Sequence, residues 1–335
     1  MSIEKYVSIM LGKTVTHIES TSTQLHGGTL GDVVLHEGLA KISDDECLPF
    51  KIVCKAQKKW ERYGDPDSWR REYDLYISGL DTLFTDALRW PECYHAGIND
   101  DEIQLWMEYI DGITGNALTV DMLEKASLEL GRYQGRLYSI KPALPVKIKN
   151  LSVVDAMKNF YQHYRSWDVV YNYIRSDICE LPKHICQMII DSDNMSDEVH
   201  VEIEKLPIVF CHRDFWVTNI FHTENGIRLI DWDTTGWGYL GEDIVSLIAD
   251  EADVGHMIEI YQTCIEAYLR GFSEHADISH ISNPYICERM ILHFGYRLIE
   301  WYLQARSPEE KEYHKQTLQK IYEIKELNRG DSSCS

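Results

Sequence analysis

Residues 208 to 233 constrain this 335-residue chain more than any other stretch. Ile208 to Cys211 is a short apolar run after Pro207. Ile220-Phe221 and Ile227-Arg228-Leu229-Ile230 are two more, so the pattern predicts three strands. Glu224-Asn225-Gly226 joins the last two as a hairpin. Into this frame fall His212-Arg213-Asp214-Phe215-Trp216-Val217-Thr218-Asn219 and, twelve residues after Asn219, Asp231. With a three-residue loop and Gly226 in the left-handed region, Thr223 pairs with Ile227. The same register then carries Asn219 opposite Asp231, with the two side chains on one face about 5 Å apart. A two-residue Asn-Gly loop would shift the register by one and send them to opposite faces.

An amide oxygen and a carboxylate on one face can hold a Mg²⁺ whose octahedron is completed by nucleotide phosphates. Asp214, in the loop five residues before Asn219, can accept a proton from an attacking hydroxyl or orient it. Taken singly, each position also fits a strand-loop-strand with a helix-capping Asp and a chance asparagine. The coincidence of His-x-Asp-x4-Asn, the hairpin and the strand-terminal Asp favours phosphoryl transfer.

The segment resembles the catalytic and metal-binding loops of the aminoglycoside phosphotransferase and choline kinase superfamily, relatives of the protein kinases. That resemblance spans about residues 14 to 305. It implies that Asp214 is the catalytic aspartate and that Asn219 and Asp231 bind Mg²⁺. It further implies an α+β, bilobal, protein-kinase-like fold. Residues 1–111 are expected to form a small antiparallel-sheet lobe that binds nucleotide and ends in a hinge. Residues 112–330 are expected to form a larger, mainly helical lobe that carries catalysis and the acceptor.

The first half supplies candidates for that nucleotide lobe. Gly27-Gly28-Thr29-Leu30-Gly31 lies between β-rich Thr14 to Leu25 and strand-like Val33 to His36. Backbone N–H groups at Gly28 and Gly31 could approach phosphates, although an ordinary glycine hairpin turn reads the same way and the protein-kinase Gly-x-Gly-x-x-Gly is absent. Phe50 to Lys55 alternates as a strand, with Lys51, Val53 and Lys55 on one side. Glu72 follows seventeen residues after Lys55, in a helical stretch packed by Trp69, Tyr73 and Tyr76. A carboxylate on that face wants a cation. Lys55 is the natural partner and would aim its ammonium at the α and β phosphates, with Lys51 the competitor. Leu105 to Gly112 resembles the family's hinge, where backbone groups near Glu108 and Ile110 would meet adenine.

In the second half, Met122 to Tyr138 and Val153 to Arg175 read as helices. Asp191 to Glu204 holds six acidic residues and no Lys or Arg, which fits a solvated face or a lure for an amine. Only eleven residues separate Asp231 from Asp243, with no Ala-Pro-Glu signature. That leaves no room for a protein-kinase activation segment and points to a small acceptor. Asp243 reads first as an N-cap, and in the family the matching aspartate also braces the catalytic loop. His212 and Arg213 read as further braces. Asp233 suits either a second metal or hydrogen bonds from the loop. Trp216, Trp237 and Tyr239 suit either a cage for a quaternary amine or packing.

Composition narrows the classes. A hydrophobic fraction of 44% with 11% aromatic residues builds large cores. Thirty-three basic against 54 acidic residues give a net charge of −21, which argues against nucleic-acid and anionic-membrane partners and suits a cationic one. Nine scattered cysteines without Cys-x-x-Cys suit a reducing compartment. Met1 to Met10 lacks an apolar signal core, and no run of about 18 apolar residues occurs, so a cytoplasmic location is expected.

The expectation is an ATP-Mg²⁺ phosphotransferase, or one using another nucleoside triphosphate. It would act on a hydroxyl of a small molecule such as an aminoglycoside or another amine-bearing acceptor. A choline-, homoserine- or sugar-type metabolite kinase is the alternative within the class. A nucleotide-binding pseudokinase would not need every catalytic residue, and a metal-dependent hydrolase on His212, Asp214, Asp231 and Asp233 leaves Lys55 and Glu72 without a role.

Overall fold

Alternation along Phe50 to Lys55 sorts side chains to two faces of a sheet, and each face has its own core. The computed structural model describes residues 2–25, 31–60, 65–141, 167–249, 253–281 and 283–332. The chain divides into two units. Among the described residues, the first comprises those of Met1–Ile113 together with Phe221–Thr234. Its elements are α1 (Ile3–Leu11), β1 (His17–Gln24), β2 (Gly31–Lys41), β3 (Cys47–Lys58), α2 (Arg71–Tyr76), β4 (Leu88–Arg89), β5 (Cys93–Ile98) and β6 (Glu102–Glu108). Five strands form one antiparallel sheet in the order β1-β2-β3-β6-β5.

On one face Phe50, Ile52 and Cys54 pack with Trp106 and with Tyr6 and Val7 of α1. On the other, Val53 meets Leu35, Trp69, Ile103, Leu105 and Met107. Period-two burial of this kind fixes the register, because a one-residue slip would exchange the faces. Lys55 therefore shares the Val53 face, on the side where Trp69 precedes α2.

The hairpin of Ile220–Thr223 and Gly226–Leu229 adds a three-stranded sheet with β4, in which Leu88 and Arg89 pair parallel to Ile227 and Arg228. Gly226 takes the expected positive φ, at 105°, but as the first residue of the second strand, so the two residues Glu224-Asn225 separate the strands rather than the expected three. The expected ladder across Asn219 and Asp231 does not form. Asn219 closes a 3₁₀ turn, Val217–Asn219, before the first strand. Asp231 lies two residues beyond the second strand at φ 63°. A residue in the left-handed region cannot continue a β ladder. The segment also joins the first unit rather than residues 112–330, for a physical reason. Its Ile227 N–H donates to the Ala87 carbonyl at 2.6 Å, and Trp232, fully buried, packs edge-on against Phe84 and Trp90.

The second unit holds Thr114–Pro142, Ser152–Ile220 and Thr235–Ser335, of which the described parts are mainly helical. They are α3 (Val120–Ile140), α4 (Trp167–Ile174), α5 (Lys183–Asn194), α6 (Ser196–Ile203), α7 (Glu242–Ala249), α8 (Met257–Ser273), α9 (Ile286–Met290), α10 (Tyr296–Gln304) and α11 (Pro308–Ser332). The Thr119 hydroxyl caps α3 by accepting the Met122 N–H. Leu123, Ala126, Leu130, Tyr133 and Leu137 form its buried stripe, as the sequence predicts. α3 and α8 approach backbone to backbone. A Cβ at Gly131 would sit 2.1 Å from the Tyr268 carbonyl and one at Gly271 2.1 Å from that of Leu128, so both crossings need glycine. The last helix, α11, runs to Ser332. Of the helix expected over Val153 to Arg175, the part before Trp167 lies outside the described residues. Among the described residues, no helix is long and apolar enough to cross a membrane.

Candidate active site

Each unit carries its own group of the expected residues. In the first, Lys55 Nζ lies 2.6 Å from Glu72 Oε2 and 2.6 Å from Asp231 Oδ1. Strand β3 delivers the lysine and α2 the glutamate. The Glu72 Oε1 atom accepts the Trp232 N–H at 3.0 Å, which ties the helix to the segment carrying Asp231. Beside it, buried Arg71 donates to the Asp233 carbonyl at 3.0 Å and pairs with Asp65. Burial alone would lower the pKa of Lys55, but Glu72, Asp231 and Asp233 outweigh it and hold the ammonium charged. Burial pushes Glu72 upward, against the pull of Lys55. Three carboxylates around one ammonium leave local negative charge in surplus. Lys51, the competing lysine, is half exposed, faces Glu37 at 3.6 Å and lies over the Tyr109 ring.

The other candidates of this unit serve varied local roles. Gly31 opens β2, where a Cβ would meet the Ala56 carbonyl at 2.6 Å, whereas Gly28 lies outside the described residues. Glu108 ends β6. Its N–H donates to the Glu92 carbonyl, and its carboxylate accepts the Glu92 N–H and faces Arg89. Ile110 follows the strand, half-buried, outside any helix or ladder.

In the second unit, Asp214 stands half-buried in the loop after Ile208–Cys211. Asn219 Nδ2 donates to the Asp214 carbonyl at 2.9 Å and to its Oδ2 at 2.8 Å, which turns the amide oxygen away from Asp214. Asp243 holds the loop from behind. Its two oxygens accept the backbone N–H groups of His212 (2.9 Å) and Arg213 (2.6 Å). That fixes Arg213 at φ 67°, where few non-glycine residues rest. Asp243 lies inside the first turn of α7 rather than at its N-cap, and its hydrogen bonds go to the loop instead. Burial pushes its carboxyl up to about 6, against the two backbone bonds that favour the charge. Arg213 pairs with Glu242 at 3.0 Å and donates to the Trp237 carbonyl. Trp237 packs edge-on against Phe210.

Behind Asp243 runs a network the sequence does not reveal. Gln134 of α3 donates to Asp243 Oδ2 at 2.8 Å and to the Phe210 carbonyl at 3.1 Å. Tyr268 of α8 donates to Gln134 Oε1 and accepts the Gly241 N–H. Arg289 of α9, buried, donates to the Leu240 carbonyl at 2.6 Å. These partners lie on distant helices, so no local spacing announces them.

A model of the phosphotransferase enzyme family matches residues 89–278. The chain belongs to the phosphotransferase enzyme family. With that membership it is a small-molecule kinase. No curated protein matches the sequence. Among solved structures it is similar to choline kinase from Cryptosporidium parvum Iowa II at 18% identity, covering 94% of this chain and 91% of that one, with a TM-score of 0.52. It is similar to a spectinomycin phosphotransferase in complex with ADP and spectinomycin at 15% identity, covering 97% and 98%, with a TM-score of 0.54. A microcompartment-associated aminopropanol kinase gives 12% identity, 95% and 94% coverage and a TM-score of 0.54. At such identities the likeness is one of fold. This phosphotransferase has the α+β, protein-kinase-like fold, with an antiparallel-sheet unit and a larger, mainly helical one.

Proposed function

We propose that this phosphotransferase moves the γ-phosphate of ATP, with a divalent cation, onto a hydroxyl of a small molecule. The observation that carries the reading is the buried Lys55 ammonium held at 2.6 Å from both Glu72 and Asp231. A fold stabilised for its own sake rarely buries a lysine–glutamate pair with a further carboxylate at its edge, since hydrophobic residues of similar volume serve as well or better. Anionic phosphates with a bound divalent cation would share that environment, Lys55 drawing the phosphates and the acidic groups the metal.

The residues present fit such a metal. Among the described residues no group of three or more His, Cys, Asp or Glu is arranged to hold an ion unaided. Mg²⁺ retains waters and takes few protein ligands besides phosphate oxygens, so one carboxylate and one amide oxygen would suffice to hold it. Asp231 is proposed as a carboxylate ligand and Asn219, through the oxygen turned away from Asp214, as an amide ligand. A bound Mg²⁺ would neutralise charge on the transferring phosphates.

The chain's own groups do the rest. Lys55, oriented by Glu72, binds phosphate. Asp214 accepts a hydrogen bond from the acceptor hydroxyl and aligns it for in-line attack, receiving the proton as the new bond forms. Asp243 keeps the loop bearing Asp214 in its constrained backbone. Residues 1–111, with Phe221–Thr234 joined to them in the first unit, are proposed as the nucleotide lobe, with adenine at the Glu108 to Ile110 backbone and phosphates near Gly28 and Gly31, and the rest of residues 112–330 as the catalytic lobe. An amicoumacin kinase of similar fold was solved with AMP-PNP, Ca²⁺ and its substrate, which supports a nucleotide and a divalent cation here. The net charge of −21 favours a cationic acceptor, an aminoglycoside or a choline-like amine.

ATP consumption across a panel of small hydroxyl compounds, amines foremost, tests the reading. Turnover that needs a divalent cation and disappears in Asp214→Asn is expected. Turnover that survives in Asp214→Asn would refute the assignment.

A further inference from the structure

Between α4 and α5 of the second unit, the Cys179 and Cys186 sulfurs stand 3.6 Å apart. Of the thiols among the described residues, this is the pair whose sulfurs meet. We propose that Cys179 and Cys186 form a peroxide-oxidisable thiol pair that closes to an intrachain disulfide across the α4–α5 turn. The proposal is independent of the phosphotransfer reading.

The two positions differ in a way that assigns their roles. Cys179 sits half-buried in a turn, its N–H donating to the Ser176 carbonyl, beside Ile178, which is 77% exposed. Cys186 lies buried in the first turns of α5, and burial pushes its thiol up to about 12. A hydroperoxide therefore reaches Cys179 first. The Cys179 thiolate attacks the outer peroxide oxygen, the O–O bond breaks, an alcohol leaves with a proton, and a sulfenic acid remains. The Cys186 sulfur then attacks the Cys179 sulfur, the S–O bond breaks, and water leaves carrying the Cys186 thiol proton. Two thiols and one hydroperoxide give one disulfide, one alcohol and one water.

The surroundings hold the turn in place for the second step. The Glu180 N–H donates to the Tyr173 hydroxyl at 3.0 Å. The Glu180 carboxylate takes Lys311 of α11 at 2.6 Å and the Tyr302 hydroxyl of α10 at 3.3 Å. Sulfurs already in contact in an anchored turn need only a small torsional adjustment to bond, roughly 1.5 Å of approach. Oxidation would pin the connection after α4 to the first turns of α5 and limit the unfolded chain.

The full chain is treated with hydrogen peroxide, alkylated, digested with trypsin and mapped. Cleavage after Lys183 separates the two cysteines, so the disulfide joins two peptides. The expected result is a loss of about 2 Da in the intact native protein, reversed by dithiothreitol, with those two peptides linked. In Cys186→Ser, which lacks the resolving thiol, dimedone should mark Cys179, whereas Cys179→Ser should leave Cys186 unmarked. Oxidation that falls on exposed Cys47 while this pair stays reduced, or equal dimedone labelling in the two variants, would overturn the proposal. Wild-type mapping alone decides it if either variant folds poorly.

Discussion

Lys55 Nζ sits 2.6 Å from an oxygen of Asp231, 176 positions further along the chain, and as close to Glu72. Lys55→Ala would leave Glu72 buried without its cation, at a cost of about 3–5 kcal/mol for breaking a buried pair. We expect a lower thermal midpoint together with kcat/KM for ATP reduced at least a hundredfold. Lys51→Ala, at a half-exposed position, should change either by little. The measurement is ATP-dependent turnover and thermal unfolding of both variants. A larger loss in Lys51→Ala would identify the other lysine as the phosphate ligand.

Asp214→Asn keeps the size of the side chain and an oxygen for Asn219 while removing the group proposed to take the hydroxyl proton. General-base contributions of this kind amount to about 10²–10⁴ in rate. Turnover should fall by that factor with KM for ATP and the thermal midpoint nearly unchanged. A matching rise in KM for ATP would mean that Asp214 acts on nucleotide instead.

The Asp243 carboxyl titrates at about 6 in the folded protein against an ordinary 3.8. Because the folded value is the higher one, the native state holds the proton more tightly than the unfolded chain. The stability this group contributes is complete below about pH 4 and is lost as the pH rises through 6. The swing is on the order of 3 kcal/mol at about 1.36 kcal/mol per pH unit. Denaturant unfolding of the wild type and Asp243→Asn at pH 4 and pH 7 measures it. The stability gap between them should move against the wild type at the higher pH, and a gap moving the other way would place the native carboxyl below its ordinary value.

Much of the first unit is legible because its signal is local. The alternation of Phe50 to Lys55 sets which residues share the Lys55 face, and helical spacing puts Glu72 beside Trp69, so the Lys55–Glu72 pair follows from short-range periodicity. The network of Gln134, Tyr268 and Asp243 does not, since each member lies on a different helix and buried polar residues carry no period. Arg213 and Asp231 are equally opaque. Neither is glycine, yet both take positive φ, and the ladder expected to reach Asp231 stops short of it for that reason. Gly226 is readable because a glycine closing a short turn between two apolar runs has few other uses.

Tyr268→Phe removes the hydroxyl that donates to Gln134 and accepts the Gly241 N–H. Leaving two buried groups without a partner costs about 1–3 kcal/mol each. We expect a loss of about 2 kcal/mol in unfolding free energy and a several-fold drop in kcat with KM unchanged. Gln134→Leu should do the same, and the double variant should lose less than the two together because both act through one network. Full additivity would show that Tyr268 and Gln134 stabilise the helices separately.

Gly226 separates two explanations for one residue. Its φ of 105° disfavours any side chain, and a Cβ there would lie 2.6 Å from the Ala87 carbonyl, the acceptor of the Ile227 N–H. Backbone strain alone costs about 1 kcal/mol for Ala and less for Asn, which tolerates positive φ. The clash with a backbone oxygen adds roughly 1–3 kcal/mol and spares neither residue. If the contact with Ala87 governs, Gly226→Ala and Gly226→Asn should both destabilise by about 2 kcal/mol or more, Asn by only slightly less than Ala, and Gly226→Val should lose more because its branched Cβ crowds β4. Denaturant unfolding of the three variants decides it. An Asn variant close to wild type would mean that the seam with β4 yields and that the turn alone demands glycine.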